Sequence, residues 1–87
     1  MYDLQLTREA ESFYRRADPP LVRRLNRCFE QIQQFPYEHP NIKRLKGPFV
    51  GSYRYRLGDW RIIYTVAEEK KVITILLIVH RSQAYRS

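Results

Sequence analysis

The 87-residue chain has one cysteine, three glycines, two histidines and only nine acidic residues. The lone Cys28 excludes an internal disulfide and fits a reducing, cytoplasmic setting. It lies between the apolar helix positions Leu25 and Phe29, as an inert core thiol would. Three glycines are too few for a phosphate-cradling loop; Gly47 and Gly51 punctuate a turn instead. There is no CxxC and no HExxH, and the acids are scattered. No metal, no cofactor and no paired-carboxylate hydrolase is therefore expected. The longest apolar run, Val72 to Val79, is far short of the roughly 18 residues of a membrane span. The opening "MYDLQLTREAE" lacks the basic start and apolar stretch of a signal peptide. A single globular domain over residues 1–87, without a membrane partner, is the expectation.

Positive charge is what the chain has in abundance. Sixteen Lys and Arg give a formal net charge of +7. On so small a domain this implies an anionic partner, nucleic acid first and an acidic protein second.

"YDLQL" alternates and reads as a strand. Thr7 then caps a helix whose first turn carries Glu9 and Glu11. "ADPP" breaks it, with Asp18 as the next N-cap and Pro19 at the first helical position. Leu21, Leu25, Phe29 and Ile32 mark one apolar face of a second helix. "FPYEHPN" ends it, and His39 in this loop reads as surface without a role. After the basic connector "IKRLKGPFVG" come two alternating runs, Tyr53–Leu57 and Trp60–Val66, joined by Gly58-Asp59 as a two-residue turn. "AEEKK" turns the chain into the last strand, Val72–Val79, whose unbroken apolar character implies cover on both faces over part of its length. The order is β-α-α-β-β-β. This is an α+β domain with a helical hairpin packed on one face of a small, mostly antiparallel sheet.

The Gly58-Asp59 turn fixes which residues meet. Leu57 faces Trp60, Arg56 faces Arg61, Tyr55 faces Ile62, Arg54 faces Ile63 and Tyr53 faces Tyr64. Directly opposed residues share a face. One face is an aromatic and aliphatic core; the other carries Arg54, Arg56 and Arg61 with Ile63. Opposed like charges destabilise a hairpin, whereas an anion between them removes the repulsion and guanidinium forks match phosphate. The alternative is a solvated face whose arginine stems cover apolar surface. The last strand leads to His80, Arg81 and Tyr85, and can carry them toward the same face. His80 is either a proton-transfer group or polar surface. Tyr85 is either a base-stacking group or a cap on the core.

From Leu45 onward, "LKGPFVGSYRYRLGDWRIIYTVAEEKKVITILLIVHRSQAYRS" resembles the RelE/ParE superfamily of bacterial toxins, in particular its RelE-like branch. The elements are the "LKG…G-YR-R-GD-RIIY" block, the acidic-basic turn, the apolar strand and the terminal "HR…YR". The resemblance implies a type II toxin neutralised by a cognate antitoxin in a hetero-oligomeric complex. It implies a ribosome-dependent endoribonuclease that cleaves mRNA in the A site, without a metal, by attack of the 2′-hydroxyl. Carried over residue by residue, the phosphate-binding positions are Arg54 and Arg56, with Lys46 beside them. The charge-stabilising arginines are Arg61 and Arg81, and Tyr85 is the C-terminal tyrosine. The family has lysines at the first two positions. Arginine is effectively always protonated, so neither Arg54 nor Arg56 can act as general base. The base is left to His80, Tyr85 or a ribosomal RNA group. A ParE-like inhibitor of DNA gyrase and a non-catalytic RNA- or protein-binding module are the alternatives.

Overall fold

The structure, a computed structural model, describes residues 1–83. Strand β1 (Asp3–Leu6) is followed by helices α1 (Arg8–Arg16) and α2 (Pro19–Gln34), then by strands β2 (Ile42–Arg44), β3 (Tyr53–Leu57), β4 (Trp60–Ala67) and β5 (Val72–His80). The five strands form one sheet in the order β1-β5-β4-β3-β2. Only the β1–β5 pair is parallel. The fold class is the expected one, with one correction: the basic connector contains a further strand, β2. Its three residues give too short a run to read as alternation. Paired with β3, they do alternate. Ile42, opposite Tyr55, packs against the core, while Lys43 lies opposite Arg54 on the other face. Arg44 lies over the Tyr53 ring at 5.9 Å, a cation–π contact suited to an edge strand.

Both helices begin as their caps dictate. The Thr7 hydroxyl accepts from the Ala10 amide at 3.2 Å, and the Asp18 carboxylate accepts from the Leu21 amide at 3.1 Å. Prolines 19 and 20 fill the first turn of α2, where their missing N–H groups cost nothing. α1 and α2 cover one side of the sheet. There Leu25, Ile32, Ile62, Tyr64, Ile73 and Ile75 are fully buried, each aliphatic one stabilising the fold by about 1.5–3 kcal/mol. Burial raises the Cys28 thiol pKa to about 12, so this group stays neutral. The buried Tyr64 hydroxyl donates to the Pro36 carbonyl at 2.6 Å and pins the proline loop to the core.

The β4–β5 ladder is interrupted. Ile63 pairs with Leu77 but Tyr64 pairs with Ile75, so Leu76 is an extra residue, a β-bulge. Its carbonyl accepts from the Thr7 hydroxyl at 2.7 Å, so one side chain caps α1 and anchors the bulge. The bulge also shifts the phase of β5. Ile73 and Ile75 before it, and Ile78 after it, all point to the helices.

Candidate nucleic-acid interface

The turn Gly58-Asp59 produces the hairpin register read from the sequence at all five pairs, including Arg56 opposite Arg61. Gly58 has φ 60°, and among the described residues Lys71 is the one non-glycine with positive φ. Gly58-Asp59 is thus a type II′ turn, in which glycine suits the first central position. On the sheet face away from the helices, Lys43, Arg54, Arg56 and Arg61 stand in cross-strand pairs over β2, β3 and β4.

Each arginine is held differently. Arg56 is exposed. Arg61 is only 8% exposed, and its Nη1 donates to the carbonyls of Gly58 and Trp60, both at 2.8 Å. These turn carbonyls receive part of its charge, so an external anion is not alone in relieving the Arg56–Arg61 repulsion. Arg54 donates through Nη1 to the Asn41 carbonyl at 3.3 Å. Its Nε is the one buried side-chain nitrogen or oxygen among the described residues without a hydrogen-bond partner. An unmet donor of this kind costs about 1–3 kcal/mol or more, because the group is charged. Between Arg54 and Leu77 lies Ile63, 6% exposed although it is outside the core cluster under the helices. Neighbouring side chains on the open face must cover it, as long arginine stems can.

Beyond the turn, the Arg81 amide donates to the Asp59 carbonyl at 2.8 Å, extending the β4–β5 ladder by one step. The Arg81 Nε is 3.7 Å from the Asp59 carboxylate, with both side chains well exposed. Arg61 and Arg81 thus flank one turn. No carboxylate lies within ion-pair distance of Arg54, Arg56 or Arg61 among the described residues. Lys46 is exposed in the connection beyond β2, outside the register that aligns the row.

His80 does not join the row. It pairs with Trp60, and its ring meets the Trp60 ring edge-on at 5.5 Å, on the helix side. Its Nδ1 is 3.0 Å from the Ser82 hydroxyl. The bulge at Leu76 causes this: with unbroken alternation His80 would face the arginines. Tyr85 lies outside the described residues.

Two residues passed over in the sequence connect to the candidate site. Lys43 lies opposite Arg54, signalled only by Ile42 turning inward before it. His39 is not idle surface. It stacks on Tyr55 at 5.3 Å, and its Nδ1 accepts from the Asn41 amide at 3.1 Å. The Asn41 carbonyl in turn accepts from Arg54 Nη1 and, at 2.8 Å, from the Arg56 amide. No pattern of spacing marks that chain of contacts. Among the described residues, no three His, Cys, Asp or Glu side chains gather as metal ligands, and no helix is long and apolar enough to cross a membrane.

Residues 4–85 match the family model described as the ParE toxin of type II toxin-antitoxin system, parDE. A chain of the archaeal RelE–RelB complex from Pyrococcus horikoshii is similar in structure, with 27% identity and a TM-score of 0.80 over 95% of this chain and 98% of that one. A chain of the RelBE2 toxin–antitoxin complex from Mycobacterium tuberculosis gives 22% identity and a TM-score of 0.80, over 92% and 98%. A chain of the intact Escherichia coli RelBE complex gives 21% identity and a TM-score of 0.77, over 92% and 96%. No functionally curated protein sequence matches the chain. With the family model spanning nearly its whole length, the chain belongs to the ParE toxin family of type II toxin–antitoxin systems, within the RelE/ParE superfamily.

Proposed function

From this membership, we propose that the toxin is an endoribonuclease that cuts mRNA in the ribosomal A site. The observation that carries the reading is the cationic row, with Arg56 opposite Arg61 and no carboxylate in ion-pair distance of either among the described residues. In the reaction, the RNA 2′-oxygen forms a bond to the adjacent phosphorus and the bond from phosphorus to the 5′-oxygen breaks. A 2′,3′-cyclic phosphate and a 5′-hydroxyl result. Arg61 and Arg81 stabilise the dianionic pentacoordinate phosphate from either side of the turn. Arg54 and Arg56, with Lys43 and Lys46, hold the backbone. The 2′-proton passes to Tyr85 or to a ribosomal RNA group, and the departing 5′-oxygen takes up one proton from that group or from water to become the hydroxyl. His80, turned toward Trp60, reaches it only if the strand end rearranges on the ribosome.

The test is primer extension across mRNA in a translation reaction supplied with the purified protein. A-site cuts that disappear on Arg61→Ala and Arg81→Ala replacement are expected; undiminished cutting would sink the assignment. Two observations favour a second reading, inhibition of DNA gyrase without chemistry: the matching family model is that of ParE, and Arg54 and Arg56 stand where RelE-like members carry lysines. Loss of supercoiling activity without mRNA cuts supports that reading.

The partner in the cell is a cognate antitoxin, as in the RelBE2 and Pyrococcus RelE–RelB complexes. An acidic or amphipathic segment that shields the cationic row is the expected mode of neutralisation, and the cytoplasm is the place where ribosome and antitoxin are met.

A further inference from the structure

One corner of this cationic molecule is built for the opposite charge. Where the end of α2, the proline loop and the N-terminal segment meet, an open pocket of about 250 Å³ is lined by Tyr2, Gln34, Phe35, Pro36, Tyr37 and Glu38. Glu38 is its one charged lining residue among the described residues, on a chain of formal net charge +7. It is exposed and has no cation within 4.0 Å among the described residues. The walls are fixed in place. The Tyr2 amide donates to the Gln33 carbonyl at 3.2 Å, and the Gln33 side-chain amide donates back to the Tyr2 carbonyl at 2.9 Å. The Tyr64 hydroxyl holds the Pro36 carbonyl, and the Tyr2 and Tyr37 hydroxyls converge on Glu68. The corner already binds one cation of its own: Lys71 Nζ lies 5.0 Å from the centre of the Tyr2 ring and pairs with Glu68. Among the described residues no cation lies over the Phe35 or Tyr37 ring, although these residues are 58% and 39% exposed.

We propose that this pocket binds an arginine side chain presented by a basic polypeptide, its guanidinium on the exposed Phe35 and Tyr37 rings and paired with Glu38. The inference goes beyond the proposed activity and stands under either reading of it. Aromatic rings beside an uncompensated carboxylate select a cation. They select arginine over lysine, because a flat guanidinium stacks on a ring while its fork still reaches a carboxylate. Sign excludes RNA: a phosphate would meet Glu38 with no cationic side chain in the lining to offset it. A second copy of this chain is disfavoured, since each copy carries +7 and the two repel. A free small cation would use the pocket alone, whereas apolar surface continues past its rim. Met1, next to Tyr2, is 84% exposed. Such surface around an arginine anchor suits the flanking residues of a polypeptide. Glu68, with its charge already met by Lys71 and two tyrosines, sets the rings and leaves Glu38 as the pairing group. None of the lining residues belongs to the cationic row, so the two sites share no side chain.

The test uses the full chain, isotopically labelled, and a pair of probes. One is a short capped peptide of glycine and serine with a central arginine between lysines. The other carries citrulline at the centre, which has the shape of arginine without its charge. The arginine peptide is expected to shift the Phe35, Tyr37 and Glu38 resonances, and the citrulline peptide to bind about fivefold more weakly or less still. Glu38→Gln and Phe35→Ala should each weaken the arginine peptide by about two- to fivefold. Both side chains are exposed and neither makes a side-chain hydrogen bond among the described residues, so both variants should fold. Glu30→Gln removes an exposed acid of α2 outside the pocket and should leave the affinity unchanged, which separates the pocket from general attraction to acids. Sedimentation of the protein alone should show a monomer. Equal binding of the two peptides, shifts centred away from Phe35–Glu38, unchanged affinity in Glu38→Gln, no binding at millimolar peptide, or a dimer that Glu38→Gln dissociates would each overturn the inference.

Discussion

The two ends of strand β4 handle charge in opposite ways. At the Ala67 end, Glu68 accepts from the Tyr2 hydroxyl at 2.8 Å, from the Tyr37 hydroxyl at 2.6 Å and from Lys71. One carboxylate there ties the N-terminus, the proline loop and the β4–β5 turn together, and its charge is fully engaged. At the Trp60 end, Arg56 and Arg61 oppose each other and Arg81 follows. Among the described residues Asp59 alone provides a carboxylate within ion-pair distance there, at 3.7 Å from Arg81. The fold uses charge as a fastener at one end and keeps it available at the other. Charges arranged only for stability would look alike at both.

Removing the available cations should have the largest effect, and on activity. Arg61→Ala is expected to lower A-site cleavage by about 10²–10³-fold, the usual cost of losing one donor to a developing phosphate charge, as measured by primer extension. Arg61 also holds the Gly58 and Trp60 carbonyls, so circular dichroism should accompany the assay. Arg81→Ala, exposed and outside those contacts, separates the two roles: a comparable loss there without loss of fold assigns the effect to charge.

Gly58→Ala acts on the turn itself. A Cβ at φ 60° is strained, and here it would also meet the Arg24 guanidinium. A loss of about 1–3 kcal/mol is expected, which for a domain of this size is a fall in Tm of roughly 4 °C or more. An unchanged Tm would mean that the turn does not hold residue 58 at positive φ in solution.

Arg56→Glu tests the comparison from the other direction. It replaces a like-charge pair by an opposite-charge pair across the hairpin, so it should raise stability by a few tenths of a kcal/mol while weakening RNA binding. Urea melts and oligouridylate titration read the two effects. If stability fell instead, Arg56 would be part of the fastening and the contrast between the ends of β4 would fail.

How far the sequence revealed this depends on the local code at each point. The β3–β4 hairpin was legible in full, because a two-residue turn and strict alternation leave one register. The caps at Thr7 and Asp18 were legible for the same reason: short-range chemistry identifies them. The phase of β5 was not. "VITILLIV" is apolar at nearly every position, so nothing marks Leu76 as the bulge, and the side of the sheet on which His80 emerges cannot be read. β2 was too short to show its pattern. The burial of Arg61 was hidden for another reason. Alternation assigns a side chain to a face, but not whether its guanidinium reaches outward or folds back onto turn carbonyls. The contacts of His39 were hidden because its partners, Tyr55 and Asn41, converge on it only after folding.

The smallest expected effect belongs to the fastened end, and its sign follows from Glu68. Hydrogen bonds from Lys71, Tyr37 and Tyr2 hold the Glu68 carboxyl down at about 2, below its ordinary value of 4.5. A depressed carboxyl stabilises the folded state above its unfolded value, and that contribution fades as pH falls from about 4.5 toward 2. Stability of the natural sequence should therefore drop more steeply across this window than that of Glu68→Gln, which has no carboxyl to protonate. The carboxylate is exposed, so the difference should be small and shrink further in high salt. Urea midpoints at pH 5 and pH 2.5, at low and high salt, measure it. Parallel pH dependence of the two proteins would show that Glu68 gains nothing from its three donors in solution, and that the contrast between the two ends of β4 rests on the cationic end alone.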